Sequence, residues 1–107
     1  MLVEEISVAD LHALGAEAVV IDVREIDEWV DGRVPHAQHV VLGTVPDQLH
    51  RFDGTPTYVI CKIGGRSLRA CEFAAAHGHH VVNVTGGMLA WRSAGFDIAT
   101  GSDGTDA

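Results

Sequence analysis

Apolar residues are grouped in short continuous runs, and segments with helical spacing separate one run from the next. The clearest runs are residues 18–22 (AVVID), 57–61 (TYVIC) and 80–84 (HVVNV). A short apolar run between helical segments predicts a strand that is buried on both faces, as in a parallel sheet. Residues 4–7 and 39–42 are predicted to add two shorter strands.

The helical segments alternate with these strands throughout the chain. Gly15, Gly32 and Gly78 stand where three of the segments stop, and glycine is the usual residue after a helix end. The pattern predicts an α/β domain with a mainly parallel five-stranded sheet that is flanked by helices on both faces. The predicted helices cover residues 8–14, 25–32, 45–52, 67–77 and 86–95, and Ser7 with Asp10 caps the first.

The length of 107 residues suits a single domain, which we expect to span residues 1–99. Residues 100–107 are small and polar, which predicts a disordered tail. The first residues lack the basic and apolar regions of a signal peptide, so none is expected. No apolar run approaches the ~20 residues that a membrane-spanning helix needs.

The net charge of −8 disfavours nucleic acid and anionic membranes as partners. The charge is uneven, because nine of the 15 carboxylates lie in residues 1–31. Lys62, Arg66 and Arg69 instead cluster around a cysteine, Cys61. An anion could therefore bind near Cys61, although the chain as a whole is negatively charged.

The two cysteines, Cys61 and Cys71, are too few for a disulfide framework and predict a cytoplasmic protein. Cys61 ends a predicted buried strand, as Asp22 ends another. Ligands gather at the carboxyl ends of parallel strands, so both residues are expected at one edge of the sheet. Gly64 and Gly65 permit positive φ and allow successive N–H groups to point at an anion.

Several features of this loop favour a thiolate over a thiol. The following helix contributes the partial positive charge of its N-terminus, and Lys62 and Arg66 add full charges. Such surroundings lower the pKa of a cysteine from ~8.5 to ~3.5–7.5. Cys61 is therefore a candidate nucleophile for an electrophilic, anionic centre, with the adduct held covalently. The alternative is a buried structural cysteine, which is a common state of this residue.

Three motifs in the right order resemble the rhodanese family of sulfurtransferases in its single-domain form, over nearly the whole chain before the tail. CKIGGRS is similar to the family's Cys-x-x-Gly-x-Arg-Ser active loop. IDVREIDEWVDGRVPHA is similar to its Asp-Val-Arg segment, and VTGGMLAWRSAGF to its closing Gly-Gly-x-x-x-Trp motif. GRVPHA departs from the family's Gly-His-Ile-Pro-Gly-Ala at Arg33 and His36, which bears on the rim of the site. The matching residues are Cys61, Gly64, Arg66, Ser67, Asp22, Val23, Arg24, Glu28, Trp29, Gly32, Pro35, Ala37, Gly86, Gly87 and Trp91.

The resemblance implies a rhodanese-like fold and a two-step transfer. Sulfane sulfur would pass from a donor such as thiosulfate to Cys61 as a persulfide, and then to a thiophilic acceptor. It implies no metal and no organic cofactor. The expected partners are a small sulfur donor and a thiol, cyanide or protein acceptor, with the chain a monomer or weak dimer. The implied site comprises the nucleophile Cys61, the loop residues Lys62, Ile63, Gly64, Gly65, Arg66 and Ser67, and the supporting residues Asp22 and Arg24.

Two alternative functions stay open. A cysteine phosphatase or arsenate reductase shares the cysteine-loop-arginine plan. Four residues separate Cys61 from Arg66, however, one fewer than in the phosphate-binding loops of that plan. The second alternative is a non-enzymatic sulfur-carrier or interaction module. The intact cysteine argues against an inactive domain but not against a carrier.

Four other side chains have predicted roles near the site. Asp22 is expected to shape it, or else to cap the helix that follows. Arg24 and Glu28 are four residues apart and are expected to pair. Cys71 lies on an apolar helical stripe with Leu68 and Ala75 and is expected to be a core residue, the alternative being a resolving cysteine.

The large aromatic residues and the histidines are expected to have structural roles. Phe73 and Trp91 are expected in the core, and Trp29 near the rim. No metal site is expected, because no cysteine joins the histidine groups and their spacing does not suit a ligand set. These histidine groups are His36 with His39, and His77 with His79 and His80.

Overall fold

The computed structural model describes residues 3–102, and its strands form one parallel sheet in the order β1-β5-β4-β2-β3. The predicted α/β class and the parallel five-stranded sheet are confirmed. The long apolar runs became the central strands because each buries side chains on both faces. The strands are β1 (Glu4–Ser7), β2 (Val19–Asp22), β3 (Gln38–His39), β4 (Thr57–Ile60) and β5 (Val81–Thr85).

Helices cover both faces of the sheet, as predicted. The side chain of Ser7 accepts from the N–H of Asp10 at 3.1 Å, so the predicted cap of the first helix is confirmed. The third helix begins at Gly65, earlier than predicted, so its first turn includes a glycine of the cysteine loop. The helices are α1 (Val8–Leu14), α2 (Ile26–Asp31), α3 (Gly65–Ala76) and α4 (Gly87–Ser93).

The two faces of the sheet carry two separate apolar cores. The face toward α3 contains Val59 and Cys61 with the buried stripe of that helix. The opposite face contains Ile60 and Val84, packed against α1 and α4. Because side chains alternate along a strand, Asn83 lies on the α3 face, beside Cys61 rather than beside α4.

The segment between β3 and β4 differs from its prediction. The strand expected at residues 39–42 is observed as Gln38–His39, and the helix expected at residues 45–52 is replaced by two 3₁₀ segments. These are Leu42–Asp47 and Leu49–Arg51. Pro46 lies inside the first and cannot donate a backbone hydrogen bond, which favours short 3₁₀ turns over a continuous α-helix.

The predicted positions of three aromatic residues are confirmed for one of them and wrong for two. Trp91 is buried, as expected. Trp29 is only 1% exposed, so its predicted place near the rim is wrong; it stacks on His39 and lies under Arg33. Phe73 is 37% exposed, so its predicted core position is also wrong, because it lies beside the buried stripe of α3 rather than on it.

The end of the described chain is attached to the domain. The N–H of Gly101 donates to Val30 O at 2.8 Å, and Arg33 donates to Gly101 O at 2.7 Å. The predicted tail thus begins with ordered contacts, and its residues 103–107 lie outside the described residues. Within residues 3–102, no helix has the length and apolar character that crossing a membrane requires.

Candidate active site

Cys61 lies at the carboxyl edge of the sheet, immediately after β4. Asp22 and Ile60 are register partners in the adjacent strands β2 and β4, so Asp22 and Cys61 reach the same edge. The N–H of Val23 donates to Ile60 O at 3.0 Å and continues the ladder to the last residue of β4. The sheet therefore fixes the backbone that carries the thiol.

Helix α4 sets the direction of the loop's peptide groups. The N–H of Met88 donates to Cys61 O at 2.9 Å. The N–H of Leu89 donates to Lys62 O at 3.0 Å. The C=O and N–H of a trans peptide point in opposite directions, so the second bond turns the N–H of Ile63 toward the sulfur.

Gly87 permits this close approach between α4 and the loop. It has a φ of +54°, and a Cβ at this position would lie 2.6 Å from Lys62 O and would overlap Cys61 O. A side chain would therefore push the loop away from α4. The closing glycine motif of the sequence acts on the cysteine loop as well as on its own helix.

The two glycines inside the loop differ in conformation. Gly64 has a φ of +117° and precedes α3 as its N-cap. Gly65 is the first residue of α3 and is not among the glycines with positive φ. Of the two glycines that permit positive φ, only Gly64 adopts it, because Gly65 already has the backbone of the helix.

Hydrogen-bond donors converge on the buried sulfur of Cys61. The N–H of Gly64 lies 3.1 Å from Sγ, and the hydroxyl of Ser67 lies 3.2 Å from it. Ser67 is fully buried, and its oxygen also lies 2.6 Å from Oδ1 of Asn83. The expected N–H cradle is thus present, with a hydroxyl as an additional donor.

These donors stabilise the thiolate form of Cys61. Burial is the largest influence and acts to raise the pKa of Cys61. The side-chain hydrogen bond of Ser67 and the backbone hydrogen bonds of Ser67, Gly64 and Ile63 oppose burial, and together they leave the pKa below its ordinary value. In contrast, burial raises the pKa of Cys71 to about 12, and the charge of Cys61 adds to this rise. The expected core role of Cys71 is confirmed, since it is fully buried.

Arg66 pairs with Glu28 across the mouth of the loop. Its two terminal nitrogens donate to the two carboxylate oxygens at 2.6 and 2.8 Å. This bond from Arg66 lowers the pKa of Glu28 to about 2, although burial acts to raise it. The predicted pairing of Glu28 with Arg24 is wrong, because the side chain of Glu28 extends from α2 toward the loop. The negative charge of Glu28 also offsets the positive charge of Arg66, which was expected to stabilise the Cys61 thiolate.

Arg24 instead pairs with Asp22 below the loop. Its guanidinium donates to the carboxylate of Asp22 at 2.8–3.1 Å and to Gly32 O at 2.6 Å. Both side chains are almost fully buried. Asp22 does not cap α2, since Glu25 is the N-cap and forms a capping box with Glu28. The pair joins the end of β2 to the end of α2 and supports the wall of the site.

A shallow cavity of about 160 Å³ lies beside the mouth of the loop. Its wall combines cations, carboxylates and apolar groups. Lys62 is exposed there, and the neighbouring Ile63 is 64% exposed. A small anion could therefore approach the loop from this side. The lining residues are Arg24, Glu28, Asp31, Lys62, Met88, Leu89 and Arg92.

The histidines have structural contacts instead of a common centre. His80 lies 3.0 Å from a carboxylate oxygen of Glu4, and His77 bonds the carbonyl of Phe73 at 2.9 Å. Among the residues that the structure describes, no three His, Cys, Asp or Glu side chains come together as metal ligands.

Sequence reasoning missed two contributors to the site, Asn83 and the partner of Arg66. Asn83 stands as a polar residue inside an apolar strand run, which is a signal that could have directed attention to it. The ion pair of Arg66 with Glu28 joins residues 38 positions apart, so sequence spacing carries no trace of it.

A parallel sheet, a cysteine at its carboxyl edge and a short amide-lined loop define a class of α/β domains that hold a thiol beside hydrogen-bond donors. The family model described as "Rhodanese-like domain" matches residues 7–94. The chain belongs to the rhodanese-like domain family, which confirms the resemblance seen in its motifs.

Named relatives place the chain among rhodanese-type sulfurtransferases. It is 39% identical over 95 residues to YtwF of Bacillus subtilis (strain 168), whose name suggests a sulfurtransferase; the match covers 85% of this chain and 92% of YtwF. It is 33% identical over 93 residues to thiosulfate sulfurtransferase GlpE of Pseudomonas entomophila (strain L48), covering 84% and 85%. The crystal structure of a rhodanese-like domain protein from Staphylococcus aureus matches with a TM-score of 0.82 and 32% identity, covering 92% of this chain and 99% of that one.

Proposed function

We propose that the protein transfers sulfane sulfur from a small donor such as thiosulfate to a thiophilic acceptor through a persulfide on Cys61. The observation that carries the proposal is the setting of the Cys61 sulfur. The N–H of Gly64 and the hydroxyl of Ser67 approach the sulfur at 3.1 and 3.2 Å in a short loop that can stabilise a single anionic sulfur.

The proposed reaction has two displacement steps. The Cys61 thiolate attacks the outer sulfur of thiosulfate, a new S–S bond forms, and the original S–S bond breaks as sulfite leaves with the electron pair. The loop N–H groups then hold the negative charge of the persulfide. In the second step cyanide or a thiolate attacks the outer sulfur, and the thiolate of Cys61 leaves and is regenerated.

The mouth of the loop supports an anionic donor. Lys62 is exposed beside the cavity and offers a cation to an approaching sulfonate. The neighbouring carboxylate of Glu28 is already paired with Arg66, so it contributes less repulsion than a free carboxylate. We propose that these residues guide the donor and that no metal or organic cofactor takes part.

The state of Arg66 argues against phosphatase or arsenate reductase activity. In such an enzyme the loop arginine would bind the tetrahedral oxyanion, but here both of its terminal nitrogens bond to Glu28. Four residues between Cys61 and Arg66 also leave little room for an oxyanion. We therefore expect no turnover of a phosphoryl ester.

The proposal is tested by steady-state transfer from thiosulfate to cyanide. The wild-type protein should produce thiocyanate, and Cys61→Ser should abolish the activity. Cys71→Ala is the matched control, because burial raises the pKa of Cys71 to about 12 and keeps its thiol neutral, so this variant should leave turnover close to wild type. Activity that survives Cys61→Ser would contradict the mechanism.

A carrier with a dedicated protein acceptor is the second candidate, and the exposed Ile63 beside the thiol favours it. It predicts that Cys61 accepts sulfur from a donor but passes it slowly to cyanide. A pre-steady-state burst of sulfite followed by slow thiocyanate formation would support the carrier over the free-standing enzyme.

A further inference from the structure

The hydroxyl of Ser67 has one proton and three acceptors within reach. Asn83 Oδ1 lies 2.6 Å from its oxygen, whereas Cys61 Sγ and Gly64 O each lie 3.2 Å away. The shortest of these contacts is the strongest candidate for the donated proton. Ser67 and Asn83 are buried, so bulk water does not supply substitute partners.

The neighbours of Asn83 fix the orientation of its amide. Nδ2 donates to Gly64 O at 3.2 Å and faces a carboxylate oxygen of Glu5 at 3.4 Å. Rotating the amide would turn its oxygen toward both of these acceptors, which is unfavourable. Oδ1 therefore faces Ser67 as an acceptor and competes with the sulfur for the hydroxyl proton.

Gly64 O does not depend on this arrangement. It also accepts from the N–H of Leu68 at 3.1 Å, as part of the first turn of α3. Removing the side chain of Asn83 would thus leave Gly64 O bonded. The main consequence would fall on the proton of Ser67.

We propose that Asn83 is a positioning residue that holds the Ser67 hydroxyl proton away from Cys61 while the sulfur is a thiol and releases it when the sulfur becomes an anion. In the resting chain, the thiol donates to the Ser67 oxygen and the Ser67 proton goes to Asn83. In the anionic chain, the hydroxyl turns to the sulfur and Oδ1 of Asn83 loses its donor. The inference rests on Cys61 being the reactive thiol of the proposed function.

Because Asn83 competes for the Ser67 proton, ionisation of Cys61 is less favourable than it would be beside a Ser67 hydroxyl without this competing acceptor. A buried acceptor that loses its donor costs free energy, so Asn83 opposes the thiolate, whereas Ser67 and the loop N–H groups favour it. The balance limits the thiolate in the absence of a sulfur donor, and the thiolate is the form of cysteine that is most open to oxidation.

The test is the pH dependence of Cys61 alkylation by iodoacetamide, followed by mass spectrometry of the peptide that contains Cys61. Asn83→Ala should lower the apparent pKa of Cys61 by about one unit, as expected for removing a competing hydrogen bond. Asn83→Asp should raise it, because a carboxylate binds the hydroxyl proton more strongly and adds negative charge. Ser67→Ala should also raise it, since the thiolate loses a donor.

The decisive comparison is the effect of Asn83→Ala in a Ser67→Ala background. The downward shift in the pKa of Cys61 should disappear there, because no hydroxyl proton is left to redirect. A shift of equal size in both backgrounds, or no shift in either, would overturn the proposal. Asn83→Val, which also lacks an acceptor and suits a strand, replaces the alanine variant if that variant does not fold, as judged by circular dichroism. Alkylation needs no sulfur donor, so the result is independent of whether the protein proves to be a sulfurtransferase.

Discussion

At the scale of single residues, opposing effects decide the chemistry of Cys61. The residue is only 1% exposed, and burial alone would favour the neutral thiol. Donors from Ser67, Gly64 and Ile63 outweigh the effect of burial, and the pKa of Cys61 lies below its ordinary value. Cys71, buried in the same core without such donors, shows the other outcome, with a pKa raised to about 12.

The buried pair of Arg24 and Asp22 leads to a prediction for single substitutions. Arg24→Met leaves the carboxylate of Asp22 buried and without its partner, and Gly32 O loses a donor as well. We expect the free energy of unfolding to fall by ~3–5 kcal/mol, the usual cost of breaking a buried ion pair from one side. Urea denaturation followed by tryptophan fluorescence measures the change.

Arg92→Met is the matched control for this experiment. Arg92 pairs with Asp31 at 3.3 Å, but the two side chains are 41% and 82% exposed. An exposed pair contributes only ~0–1 kcal/mol, so this variant should stay close to wild type. Equal losses in the two variants would mean that the Arg24 pair does not support the wall of the site.

At the scale of elements, the site depends on contacts between segments that are distant in sequence. Strand β4 places the cysteine, α3 contributes Ser67, and β5 contributes Asn83. The first turn of α4 holds the carbonyls of Cys61 and Lys62, so that the N–H groups of the loop face the sulfur. The loop is therefore positioned by the sheet and by two helices.

The neighbouring glycines of the loop provide a direct comparison at this scale. Gly64→Ala forces a side chain onto a φ of +117°, which should cost ~1–3 kcal/mol and disturb the N–H group that bonds to the sulfur. Gly65→Ala adds a methyl group to a helical position with open space around it. It should be neutral or stabilising by up to ~1 kcal/mol.

Thermal denaturation and thiocyanate formation measure the two effects separately. Gly64→Ala should lower both stability and activity, whereas Gly65→Ala should preserve both. A loss of activity in Gly65→Ala as large as in Gly64→Ala would show that the loop does not depend on the left-handed residue.

The elements also show how far sequence reasoning extends. Continuous apolar runs predicted the buried strands, because a strand that is buried on both faces of a sheet needs apolar residues at nearly every position. The helix predicted over residues 45–52 was wrong, since the competition between α and 3₁₀ geometry around Pro46 depends on local contacts. For the site, local motifs identified Cys61 and its loop, but pairs formed across the fold, such as Arg66 with Glu28, have no local signature.

At the scale of the whole molecule, ionisation of Glu28 links pH to stability. The pKa of Glu28 is lowered from 4.5 to about 2, first because Arg66 bonds to it. A carboxyl with a depressed folded pKa stabilises the fold above its unfolded pKa. That stabilisation is lost as the pH falls from about 4.5 toward 2.

Denaturation at a series of pH values tests this linkage. Glu28→Gln should reduce the free energy of unfolding at neutral pH by about 1 kcal/mol, because a partly exposed pair is screened by solvent. The difference from wild type should shrink as the pH falls from about 4.5 toward 2, where the wild-type carboxyl also becomes neutral. A difference that stays constant over this range would show that the carboxylate charge is not the source of the stabilisation.

A persulfide on Cys61 is tested directly by intact mass spectrometry after incubation with thiosulfate and removal of the excess donor. The wild-type protein and Cys71→Ala should gain the mass of one sulfur atom, Cys61→Ser should not, and cyanide should remove the added mass. Addition of sulfur to Cys61→Ser, or an unmodified wild-type protein after exposure to thiosulfate and other sulfane donors, would contradict a persulfide on Cys61.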